Sequence, residues 1–107
     1  MAYRIRLLVP TSYTNEARTM LEEHPRAVVL ESTESSYQPG SDLLEIVISE
    51  LRILQGLHRW WSDRRIELRA NPPMSLIQPD GVVVSFNDHS ADDLEAIGRR
   101  EFLPQAS

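Results

Sequence analysis

Apolar residues return at every second position near the start of the chain. Tyr3, Ile5, Leu7 and Val9 alternate with Arg4 and Arg6, which predicts a half-buried strand that Pro10 ends. A short helix is expected from Asn15 to His24, with Ala17, Met20, Leu21 and His24 on one face and Pro25 as its stop. Ala27 to Glu31 is a compact valine-rich run and reads as a second strand. The polar, turn-rich stretch from Ser32 to Gly40 reads as a loop, with residues 32–41 taken as flexible.

From Asp42 to Arg65 the spacing changes and predicts one long helix. Asp42 and Glu45 have the spacing of a capping box. At 100° per residue, Leu43, Leu44, Val47, Leu51, Leu54 and Trp61 form one stripe. Ile46, Ile53 and Trp60 widen it along one edge, while Glu45, Ser49, Arg52, Gln55, Gly56 and Arg59 lie opposite. So wide an apolar arc exceeds what one sheet face covers. Either neighbouring helices cover the remainder, or the edge of Ile46, Ile53 and Trp60 is a docking surface for a partner.

Shorter periods follow. Ile66, Leu68 and Ala70 alternate with Glu67 and Arg69 as in a strand, and Asn71-Pro72-Pro73 breaks it. Met74 to Gln78 is a further short strand candidate. Pro79-Asp80-Gly81 is a turn signal, and Val82 to Phe86 a strand. Ser90 and Asp93 form a second capping-box pair, opening a last helix with Leu94, Ile97 and Phe102 on its apolar face. Pro104 ends the ordered chain, leaving 104–107 as a frayed tail. The expected fold class is α+β: a small mixed sheet of four to five short strands, one long central helix and two shorter helices.

Composition narrows the function classes. A chain of 107 residues with 41% hydrophobic and 25% charged positions fits a single soluble domain spanning 1–107. The net charge of -5 argues against a general nucleic-acid binder, which needs a basic face. Without cysteines there are no disulfides and no thiolate metal sites. No signal-peptide layout and no long uncharged apolar run is present, so no membrane association and a cytoplasmic location are expected.

Candidate chemistry is sparse. Glu50 falls inside the apolar arc, where a carboxylate needs water or an arginine; a general acid or base would need a second partner. Asp88-His89-Ser90-Ala91-Asp92-Asp93 has the look of a metal or acid–base cluster, but helix-start chemistry explains three of its side chains. His24 stands at a helix end, where an imidazolium suits the dipole, and His58 on the apolar stripe reads as a satisfied core histidine. The run His58 to Arg65 interleaves basic and aromatic residues. That suits a single-strand nucleic-acid platform, but also packed tryptophans with cations at a helix C-terminus. No Gly-rich phosphate loop, serine elbow or His-Glu-x-x-His motif occurs. No catalytic, cofactor-binding or metal-binding residue is therefore assigned, and no enzyme activity is expected.

The segment order resembles that of the effector-associated constant component family of small bacterial proteins. The likeness runs through the strand Tyr3 to Val9, the Pro39-Gly40 turn and the long helix from Leu43. It continues through the Leu57 to Arg65 helix end, the Pro79-Asp80-Gly81 turn, the strand Val82 to Phe86 and the helix Ala91 to Ile97. The chain differs from that pattern in carrying Glu45, Glu50 and Arg52 in the helix and Asn71 to Gln78 before the turn. The resemblance implies a non-enzymatic adaptor of a bacterial conflict or immunity system. Its partner would be an effector protein, protease-like or NTPase-linked, and Ile46, Ile53 and Trp60 are the expected contacts. Two other classes remain open: a ligand-sensing homo-oligomeric regulatory domain, and a small enzyme whose pocket converges on Glu50, His58 or His89.

Overall fold

The computed structural model describes residues 2–34, 40–68 and 73–102. It contains β1 (Tyr3–Pro10), α1 (Thr14–Glu23), β2 (Ala27–Glu34), β3 (Ser41–Ile48), α2 (Ile53–Leu68), β4 (Ser75–Ile77), β5 (Val83–Ser85) and α3 (Ala91–Glu101). Single 3₁₀ turns precede α1 and follow β5. The fold is α+β, as expected, but every strand pair is antiparallel and the sheet is not mixed. Its order is β2-β3-β1-β4-β5. β1 and β2 flank β3, and β3 and β4 flank β1, so α1 and α2 are the crossovers of two interleaved split β–α–β units.

The largest departure from the sequence reading is the single long helix. Residues 42–48, expected as its first half, belong to strand β3, and α2 begins only at Ile53. β3 pairs with β1 along its whole length, with Ile46 opposite Ile5 and Leu44 opposite Leu7. Leu44, Ile46 and Ile48 point into the core, whereas Leu43, Glu45 and Val47 are half-exposed on the other side. The adjacent β-branched residues Ile46, Val47 and Ile48 suit this pleated, half-buried setting better than a helix. Asp42 and Glu45 accordingly form no capping box. Asp42 accepts a hydrogen bond from the Thr14 hydroxyl at 2.7 Å, and Glu45 pairs with Arg4 at 2.8 Å. The strand expected from Ile66 is also overturned: Ile66 to Leu68 continue α2. Ser32 to Glu34 extend β2 and Ser41 opens β3 rather than belonging to a loop, and Gly40 between them and β3 turns the chain with φ 81°; residues 35–39, Arg69 to Pro72 and residues 103–107 lie outside the described residues.

Other expectations hold. Gly81 adopts φ 91° in the turn after Ile77, and the Asp80 carboxylate accepts the Val82 amide at 3.0 Å. Ser90 and Asp93 form the reciprocal capping box of α3, with Arg99 and Arg100 in its last turn.

The inward side chains of β1, β3 and β4 share one core with Ala17 and Leu21 of α1, Leu54, Leu57 and Trp61 of α2, and Leu94 and Ile97 of α3. Leu51, Leu54 and Trp61 are buried as expected; Val47 is half-exposed on β3. α2 and α3 meet closely at Gly98, where a Cβ would stand 2.9 Å from Leu54 Cδ1 and 3.1 Å from Leu51 Cδ2. Tyr13 sits edge-on to both Trp60 and Trp61, at 6.3 and 6.0 Å between ring centres. Its buried hydroxyl has no hydrogen-bond partner among the described residues. Tyr13→Phe should therefore hold or raise the unfolding free energy, by up to about 1 kcal/mol, in urea denaturation. A loss of more than about 1 kcal/mol would show that the hydroxyl has a partner.

Candidate functional site

The three residues expected to form a docking edge do not share a surface. Ile46 lies on β3 and is fully buried against Ile5, and Ile53 opens α2 with 6% exposure. A partner cannot reach either without opening the core. Trp60 alone is half-exposed. Its ring packs against Tyr13 on one side and under the Arg64 guanidinium at 5.5 Å on the other. Arg64 also pairs with Glu16, and that guanidinium, with the Trp60 indole beside it, holds the Glu16 carboxyl below the usual carboxylate range. On β1 and β3, Arg4 does the same to Glu45.

The histidines separate into two groups. His58 stacks on Phe86, and its Nε2–H donates to the His89 carbonyl at 2.8 Å. His89 Nδ1–H donates in turn to the Ser85 carbonyl at 3.0 Å. The His58 ring thus ties α2 to the segment between β5 and α3, and the His89 ring braces that segment on the end of β5. Ser90 and Asp93 are engaged in the α3 cap, and Asp92 accepts from Gln55. Among the described residues, no three His, Asp or Glu side chains converge as a metal site. Among them, no helix is long and apolar enough to cross a membrane.

His24 belongs elsewhere. Its Nδ1 accepts the Arg26 amide at 3.1 Å, so Nε2 is the ring nitrogen left to face outward. The ring lines a cleft of about 320 Å³ between the last turn of α1 and the first turns of α2. The floor is apolar, from Met20, Leu21, Ile53 and Leu57, and Glu50, Arg52 and Arg59 stand around it. Glu50 is half-buried in the turn between β3 and α2, not on a helix as expected. None of these three charged side chains makes an ion pair or hydrogen bond among the described residues. The amides of Ile53, Leu54, Gln55 and Gly56 are bonded to carbonyls of Glu50, Leu51 and Arg52, so the cleft's open polar groups are side chains.

Gly56 completes the cleft. It is exposed within α2, and a Cβ added there meets nothing within 4 Å. Neither crowding nor a positive φ requires glycine there, unlike Gly98. Yet glycine in a helix interior costs about 0.5–1 kcal/mol relative to alanine. Sequence reasoning placed Gly56 and Arg59 on a merely polar side of the helix. Their spacing, with Arg52 one turn before and Arg59 one turn after Gly56, was the available signal.

The second open feature is the sheet edge. β2 is an outer strand, and Val28 and Leu30 on it are 57% and 48% exposed. A bulge between Val29 and Glu31 interrupts the pairing with β3 at Leu30. The opposite edge, β5, is three residues long and exposes Val83.

Comparison with protein-family models, with curated proteins and with solved structures finds no match for the chain.

Proposed function

We propose that the protein is a non-enzymatic adaptor that holds an effector protein by strand addition at the free edge of β2. The observation that carries this reading is the pair of exposed apolar side chains, Val28 and Leu30, on an outer strand. An unpaired edge offers amides and carbonyls to an extended segment, and alternate side chains give the contact its selectivity. The bulge at Leu30 supports a defined partner over open-ended stacking, because a bulged edge twists away from continuous sheet growth. The resemblance to conflict-system adaptors supplies the class of partner.

A second reading has one specific observation in its favour. Exposed Arg26 and Glu31 stand at opposite ends of the open stretch. Antiparallel pairing of β2 with a second copy would set each arginine near the other copy's glutamate. That geometry suits a homo-oligomeric regulatory domain.

Val28→Lys tests both. Val28 is exposed, so the thermal midpoint should stay within the change expected for about 0.5 kcal/mol. The wild type should co-purify an effector from its native host, the lysine variant should lose it, and the bound state should slow hydrogen exchange at Ala27 to Val29. A captured effector retained by the variant, or protection elsewhere, would overturn the edge assignment. A wild-type dimer in ultracentrifugation that Val28→Lys dissociates would establish the homo-oligomeric reading instead.

A further inference from the structure

The cleft between α1 and α2 has no part in strand addition, and its chemistry is complete in itself. Among the described residues its one carboxylate and two guanidinium groups make no ion pair or hydrogen bond, and the His24 ring and an apolar floor stand beside them. Charges of both signs around one apolar hollow match a ligand that carries both signs close together beside an apolar body. Its volume of about 320 Å³ lies at the small end of the range for ligand sites.

We propose that this cleft binds a free amino acid with a large apolar side chain. The carboxylate lies over Gly56 between Arg52 and Arg59, where a planar guanidinium can hold two oxygens at once. The ammonium group meets Glu50. The side chain rests on Met20, Leu21, Ile53 and Leu57. This arrangement also accounts for Gly56: its open backbone lets the carboxylate approach between the arginines, and any side chain there would occupy that space.

A single anion would leave Glu50 facing it without a counter-charge, and a single cation would leave both arginines so. A peptide would separate its two terminal charges by more than one residue. A free amino acid satisfies all three charged groups within one short backbone.

The experiment is calorimetric titration of the full chain with L-phenylalanine and L-leucine, beside N-acetyl-L-phenylalanine and L-phenylalaninamide. Saturable binding of one of the free amino acids is expected, weakened at least about tenfold when either charge is blocked. Glu50→Gln should weaken the free amino acid but leave the N-acetyl compound's weak binding unchanged, since only the ammonium contact is lost. Gly56→Leu should abolish binding while the thermal midpoint holds or rises, which separates a filled cleft from a damaged fold. No saturation by either amino acid at about 10 mM would overturn the proposal. So would binding that Glu50→Gln and Gly56→Leu leave intact. Because Val28 and Leu30 take no part, either result leaves the adaptor reading to its own test.

Discussion

Trp61→Ala is expected to lower the unfolding free energy by about 3–5 kcal/mol. The indole is fully buried, it meets the Tyr13 ring edge-on, and its Nε1–H donates to Asn87 Oδ1 at 2.7 Å. Asn87 is exposed, so water can replace that donor, and the loss comes mainly from the cavity. A domain of this size has roughly 5–15 kcal/mol to lose, so the variant should unfold at markedly lower urea. The near-ultraviolet circular dichroism of the Tyr13–Trp60–Trp61 group should weaken with it. A change below about 1 kcal/mol would show that Trp61 does not anchor the core.

Ile46→Ala is the second large effect, about 2–5 kcal/mol of stability. On the helical reading of the sequence this residue belonged to an edge expected to meet a partner. In the structure it is fully buried between Ile5 and Val29, its register neighbours on β1 and β2. Urea denaturation therefore separates the two arrangements in one measurement. A midpoint matching wild type would return Ile46 to the surface and remove β3 from the core.

The strands and turns at the two ends of the chain were legible because their alternation or punctuation is unambiguous. β1 has arginines between its inward residues, and Asp80-Gly81 and Ser90-Asp93 are local chemistry that acts through the nearest backbone. β3 was not legible because its two faces are both largely apolar. Leu43 and Val47 on the outer side hide the period of two and fall into step with the true helix that follows. The turn from Ser49 to Arg52 contains neither glycine nor proline, so nothing in the sequence marks the boundary. The adjacent Ile46, Val47 and Ile48 were the one local hint. Misplacing that boundary also hid the cleft, because Glu50 reaches it only from a turn and His24 only through a crossover. Such juxtapositions are tertiary, and spacing along a chain does not report them.

The central position of β1 has a consequence for how the molecule is made. Leu7 pairs with Leu44 on one side and Leu76 on the other, so β1 is synthesised well before either strand that borders it. At about 5–20 residues per second, the ribosome leaves that apolar strand with open edges for several seconds before β4 exists. Contacts so distant in sequence also make folding slow once the chain is released. Arg4 and Arg6 sit within this strand and interrupt its apolar run. In the finished protein Arg4 is an ion-pair partner of Glu45; in the nascent chain both arginines are gatekeepers that keep neighbouring polypeptides from stacking on an unfinished sheet.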